Sequence, residues 1–149
     1  MQKLRDFAPP PSAFVLRMVV ARADIDAFGH ANNVVWVRWV NEAAIAHSEA
    51  VGLGAAAYFA LQVLWVVRRH DIEYLNQALE GEVLDVTTWV AEMRGATSDR
   101  KTLVTRASDG KLLSRATTTW ALLDATTGRP RRVPPELAAR YAVPSEDGG

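Results

Sequence analysis

Asp24-Ile25-Asp26-Ala27-Phe28-Gly29-His30-Ala31-Asn32-Asn33 runs straight into Val34-Val35-Trp36-Val37-Arg38-Trp39-Val40, and the reading of that junction decides the fold. On propensity alone residues 34–40 pass for a strand, being β-branched and aromatic. Residues 41–51, however, are largely helix formers, with no break before them. Trp36, Val40, Ala43, Ala44, His47 and Val51 fall on one face at helical spacing, which predicts a single helix through the whole stretch. Asn32 or Asn33 supplies an N-cap, and Gly52 followed by Leu53 has the pattern of a left-handed C-cap with its apolar partner. The first turns are apolar almost all round, so the helix is expected to be covered on nearly every side.

Working outward, residues 14–22 are β-rich and stop at the turn cluster, which predicts a first strand. Residues 61–75, 82–93, 100–107 and 111–123 predict four more, with Gly81 at one turn and Ser108-Asp109-Gly110 as a hairpin signal. Residues 54–59 form a small-residue connection with room for a helical turn, and Pro134-Pro135-Glu136-Leu137 opens a short helix. Pro9-Pro10-Pro11 makes residues 1–12 a flexible tail, and residues 145–149 another. The order is strand, long buried helix, then consecutive antiparallel strands. An α+β domain follows, in which a curled sheet of about five strands wraps the helix.

Composition narrows the function. One domain is expected from 149 residues, and the absence of cysteine excludes disulfides, thiolate zinc sites and cysteine nucleophiles. Seventeen basic and seventeen acidic side chains give a formal net charge of +0, which argues against a nucleic-acid partner. No apolar run nears the roughly 18–20 residues of a membrane span, and no basic-then-apolar signal opens the chain, so a soluble cytoplasmic protein is expected. No phosphate loop, nucleophile-elbow serine or zinc-ligand spacing is present, and no metal is expected.

The chemistry therefore rests on the turn ahead of the helix. A helix N-terminus offers unpaired N–H groups and a partial positive charge, suited to an oxygen that gains charge as a carbonyl is attacked. Asp26 is the candidate carboxylate, as nucleophile or as general base. His30 is a candidate to orient it or to hold water, and Gly29 allows positive φ or close approach of substrate. Asp24 reads as a turn former and His47 as structural. Arg68, Arg69, Arg94, Arg100 and Lys101, in or beside the strands, are candidates to meet phosphate groups.

Asp26-Ala27-Phe28-Gly29-His30-Ala31-Asn32-Asn33-Val34-Val35-Trp36 resembles the Asp-x-x-x-His-x-Asn-Asn-x-x-Tyr motif of long-chain acyl-CoA and acyl-ACP members of the 4-hydroxybenzoyl-CoA thioesterase-like family. The resemblance extends over about residues 14–137, through Val67-Arg68-Arg69-His70-Asp71-Ile72-Glu73-Tyr74-Leu75, Gly81-Glu82-Val83-Leu84 and residues 120–134. It implies a hotdog fold and hydrolysis of an acyl-CoA or acyl-ACP thioester, with no cofactor beyond the coenzyme A of the substrate. Carried over, the catalytic carboxylate falls on Asp26 and the oxyanion N–H near Asn33. Trp36 stands where the family has tyrosine, without its hydroxyl, and fills that volume beside the substrate. Arg68, Arg69, Arg100 and Lys101 would face coenzyme A. Hotdog relatives cover the open sheet edge by pairing, which implies a homodimer or homotetramer with the partner's edge near residues 64–69 completing the pocket. A hotdog hydratase fits less well, because its signature has four residues between Asp and His; Asp26 and His30 have three between them, Asp24 and His30 five. A non-catalytic acyl-thioester-binding module is the remaining alternative.

Overall fold

The computed structural model describes residues 6–144, and it makes the junction at Asn33 helical. Helix α1 spans Asn33–Ala50. Asn32 caps it, its Oδ1 accepting from the Val34 N–H at 3.1 Å. At the other end Gly52 takes φ +78°, and the Leu53 N–H returns to the Ser48 carbonyl at 2.8 Å with Leu53 buried beneath. Val35, Trp36, Trp39, Val40, Ala43, Ala44 and His47 are buried, close to the face expected from spacing. Helical period thus overrides the β-propensity of residues 34–40, because the tryptophans at 36 and 39 reach the core only if the chain is helical.

Five strands receive that face: β1 Phe14–Val19, β2 Val63–Tyr74, β3 Val83–Arg94, β4 Thr97–Arg106 and β5 Leu112–Asp124. Their order is β1-β3-β4-β5-β2, every neighbouring pair antiparallel. Register shifts after Val67, Val90 and Val104 bend the sheet, as bulges do. One core cluster gathers Trp36 and Trp39 with Val20, Leu84, Val86 and Val104; a second joins Leu53, Val63, Val90 and Leu122 to Leu137 and Tyr141. The sheet-wrapped helix is the α+β arrangement that the hotdog resemblance implies.

Several boundaries differ from expectation: β1 stops at Val19 rather than at residue 22, and the connection after α1 is a full helix, α2 Ala55–Leu61. The short helix expected from Pro134-Pro135 is α3, Pro135–Arg140. Strand β4 begins three residues early, at Thr97. Residues 6–12 are not simply a loose tail: the Phe7 ring lies 4.7 Å from Lys101 Nζ and 5.5 Å from the Arg115 guanidinium, against the outer face of the sheet. Residues 1–5 and 145–149, the rest of the expected tails, lie outside the described residues. Strands β1 and β2 have one neighbour each, so the twelve-residue β2 presents a free edge.

Candidate active site

Ahead of α1 the chain closes into a small hairpin. The Asn32 N–H donates to the Asp24 carbonyl, the Asp26 N–H to the His30 carbonyl, and Ile25 bridges Ala31. The tip is Ala27-Phe28-Gly29, with the Gly29 N–H returning to the Asp26 carbonyl at 3.1 Å and Gly29 at φ +82°. This matches a three-residue hairpin loop, a type I turn followed by a left-handed residue. Of the two uses open to Gly29, its backbone angle is the one this chain requires, since a Cβ there would meet nothing within 4 Å. The hairpin is tied to the body by the Ala31 N–H donating to the Ala78 carbonyl and by Asp24.

The two aspartates have different positions. Asp24 is 4% exposed; its Oδ1 accepts from Arg38 Nη2 at 2.7 Å and its Oδ2 from the Ala21 N–H at 3.0 Å. Both oxygens are spent on anchoring the turn to α1. Asp26 commits only Oδ1, which accepts from the Phe28 N–H at 2.9 Å and the His30 N–H at 3.2 Å. Its Oδ2 has no partner among the described residues. Turn-forming and chemistry are therefore compatible at Asp26, one oxygen for each. His30 is bound to Asp26 through both its backbone N–H and its carbonyl.

At the helix start, Asn32 takes the N–H groups of Val34 and Val35 on its side-chain oxygen and its carbonyl. Asn33 is the first helical residue, where no intrahelical carbonyl reaches its N–H. A carboxylate with a free oxygen and a helix end with a free donor therefore share one short segment. Tyr74 contacts that segment, its hydroxyl donating to the Asn33 carbonyl at 3.4 Å. Phe28 is 85% and Val34 74% exposed, so this segment is open to solvent in the single chain.

The expected substrate contacts divide. Arg68 and Arg69 are exposed at the β2 bulge, Arg69 only 3.9 Å from Asp71 as an ion pair. Lys101 is on the outer face of β4, donating to Thr117 Oγ1 at 3.0 Å. Two expectations need correction. Trp36 is 2% exposed and packs edge-on against Trp39 and Tyr74, so it fills the core and offers no surface to substrate. Arg100 faces the opposite side of β4 from Lys101, because successive strand residues alternate, and at 5% exposure it cannot meet a nucleotide on the outer face.

Instead Arg100 lies between the sheet and α1. Its Nη1 donates to His47 Nδ1 at 3.0 Å and to Thr88 Oγ1 at 3.1 Å. Burial, and then the Arg100 charge, push the His47 pKa down to about 4, so His47 is neutral near pH 7 and Nδ1 is an acceptor. Burial lowers Arg100 itself to about 10, which leaves it charged. Arg100 is one wall of a cavity of about 750 Å³ beneath the C-terminal half of α1, bounded also by α2 and the start of β2. From Asn33 to Ser48 along α1 is roughly 22 Å, so within one chain the cavity and the Asp26 turn occupy opposite ends of the helix. Neither the cavity nor the interior position of Arg100 was read from the sequence. The available signal was parity: residues 98, 100, 102 and 104 share one face of β4, and Val104 marks that face as internal.

A sequence profile of the thioesterase-like superfamily matches residues 20–141, and the chain belongs to that superfamily. A chloroplastic acyl-(acyl-carrier-protein) hydrolase of Cuphea viscosissima is 33% identical over 75 residues, covering 50% of this chain and 18% of that protein. A chloroplastic palmitoyl-acyl carrier protein thioesterase of Gossypium hirsutum is 29% identical over 104 residues, 66% of this chain and 25% of that one. The chain thus spans a quarter or less of the length of these two relatives. Among solved structures, a 1,4-dihydroxy-2-naphthoyl-CoA thioesterase from Synechocystis superposes with TM-score 0.80 at 16% identity, covering 87% of this chain and 96% of that one. An acyl-ACP thioesterase from Bacteroides thetaiotaomicron gives 0.81 at 23%, covering 90% and 54%. The architecture is the hotdog fold of these thioesterases.

Proposed function

We propose that the chain hydrolyses acyl thioesters of coenzyme A or acyl carrier protein to free acid and thiol, with Asp26 as the working carboxylate. The observation that carries this is the division of labour at Asp26. Two backbone N–H groups hold Oδ1, so the side chain is fixed without help from substrate, and Oδ2 is left for chemistry. Oδ2 either attacks the thioester carbonyl, expelling the thiolate and leaving an anhydride that water then hydrolyses, or takes a proton from a water whose oxygen attacks the carbonyl and expels the thiolate, which receives that proton. The Asn33 N–H, at the positive end of α1, receives the carbonyl oxygen as it gains charge. His30 keeps Asp26 in register through the backbone and presents its ring to water. Coenzyme A phosphates would meet Arg68, Arg69 and Lys101, and the reaction needs no further cofactor. Membership of the thioesterase-like superfamily and similarity to the two plant acyl-carrier-protein hydrolases support the reading.

The site is completed by a second copy of the chain. The free β2 edge carries Leu64 and Val67, 40% and 38% exposed, and Ile45 on α1 is 59% exposed. Pairing at that edge would cover these side chains together with Phe28 and Val34. The activity is tested by incubating the protein with a panel of acyl-CoA and acyl-ACP esters and a thiol-reactive dye. Release of thiol above the enzyme-free rate with at least one ester is expected; none across the panel would contradict the reading.

A further inference from the structure

Arg100 is a guanidinium held inside the fold with no carboxylate to neutralise it. No Asp or Glu among the described residues forms an ion pair with it, and burial is the main cause that lowers its pKa. A buried charge without an opposite partner is costly, and an apolar residue of similar size is often neutral or stabilising in such a place. Its presence therefore calls for a use.

The hydrogen bonds around Arg100 say what it can bind. Nη1 spends its protons on His47 Nδ1 and Thr88 Oγ1. The Tyr141 ring lies 5.6 Å from the guanidinium carbon and covers one face. What remains is the edge formed by Nε–H and Nη2–H, with no acceptor among the described residues. Two parallel N–H groups on such an edge match the two oxygens of a carboxylate.

The surroundings supply the rest of a ligand site. Leu53, Val63 and Met93 form apolar wall, and the volume of about 750 Å³ falls in the range that encloses small organic ligands. Beside Arg100 runs a chain of hydroxyls, Ser48 Oγ to Tyr141 Oη at 2.7 Å and Tyr141 Oη to Tyr58 Oη at 2.6 Å. Trp120, another wall, keeps its indole N–H buried without a partner. Glu49, the one carboxylate of the lining, is exposed and makes no ion pair with Arg100.

We infer that this cavity takes an apolar chain ending in a carboxylate, which Arg100 grips through Nε and Nη2. The inference rests on the thioesterase reading for the source of that chain. The carboxylate is either the far end of a dicarboxylic acyl group whose thioester lies at the turn of the second copy, the turn of the same chain being roughly 22 Å away along α1, or the head of a free fatty acid released by hydrolysis.

Calorimetric titration with octanoate and with its uncharged methyl ester tests the shared chemistry. Octanoate is expected to bind the wild-type protein at least about tenfold more tightly than the ester, the worth of a charge-assisted pair. Arg100→Met should abolish that difference while melting no lower than wild type, and Arg100→Lys should keep part of it. Equal binding of octanoate and methyl octanoate to the wild type would overturn the inference, whether or not the variants fold. Hydrolysis then separates the sources. A kcat/KM preference of about tenfold for suberoyl-CoA over octanoyl-CoA, lost in Arg100→Met, assigns the carboxylate to the substrate's far end. No preference, with octanoate competing against octanoyl-CoA, assigns it to the released acid. If no ester of the full acyl-CoA and acyl-ACP panel is cleaved while octanoate still outbinds methyl octanoate, the thioesterase reading falls and the carboxylate site stands.

Discussion

Asp24 and Asp26 are two positions apart and chemically identical, yet only one has an oxygen to spare. Asp24 is closed by Arg38 and the Ala21 N–H; Asp26 is held at Oδ1 alone. Sequence favoured Asp26 only through the family motif, since a turn aspartate by itself usually bonds its own backbone, and here Asp26 does that as well. His47 shows a different residue-scale effect, visible in pH. It keeps a pKa of about 4 in the folded protein against 6.5 as the ordinary value, being buried with Phe14 stacked on it, Tyr141 at its edge and Arg100 bonded to it. Between those values the unfolded chain binds the proton and the folded one does not. Stability is therefore fully present above about pH 6.5 and falls as pH drops toward 4, by about 3 kcal/mol at most. Burial shifts His70 the same way, whereas Asp85, Asp109 and Asp124, all lowered by their partners, lose their contribution only below the ordinary carboxylate value of 3.8. Urea unfolding at pH 7 and pH 4.5 should show the loss, and His47→Asn should flatten it. An unchanged slope in that variant would contradict a neutral buried His47.

At the scale of elements, α1 was legible because its apolar period is sustained and both ends are marked in the sequence, by the Asn32 side chain before and by Gly52 at positive φ after. Strand β4 was less so. Its inner positions are Ser98, Arg100, Thr102 and Val104, and alternation assigns polar residues to solvent, so both the early start at Thr97 and the cavity wall went unread. Thr88, Ser114 and Thr118 are buried on the neighbouring strands, and the inner face here is stitched by hydroxyl hydrogen bonds such as Thr88 Oγ1 to the Lys101 carbonyl. The outer face behaves as expected, with Arg115 paired to Glu73 and Thr119 to Asp99. If coenzyme A lies against Arg68, Arg69 or Lys101, alanine at that position should raise KM for acyl-CoA severalfold at low salt and leave kcat nearly unchanged. An unchanged KM in all three variants would make these residues a solvated strand face.

For the whole molecule, the open sheet is the governing feature. A long strand edge bordered by exposed apolar side chains is a template for pairing. Phe28 and Val34 beside the Asp26 turn, and Ile45 further along α1, are large apolar side chains left exposed in the single chain. Sedimentation at micromolar concentration should therefore find particles of at least twice 16.4 kDa. Leu64→Lys combined with Val67→Lys should return the chain to monomers and reduce activity with it. Wild-type protein found only as monomers would contradict a site completed by a second copy.

The central claim is that the free oxygen of Asp26 does the chemistry, and Asp26→Asn tests it most directly. Asparagine keeps the shape and can still accept the Phe28 and His30 N–H groups, so the hairpin and the start of α1 should survive. The charge disappears, and with it both nucleophile and base. Single-turnover hydrolysis of the best acyl thioester should slow by at least ~10²-fold, with binding of that ester and the melting temperature close to wild type. Asp24→Asn, by contrast, should lower the melting temperature and leave the rate per folded molecule nearly intact. An Asp26→Asn protein that hydrolyses the ester at close to the wild-type rate would contradict the account.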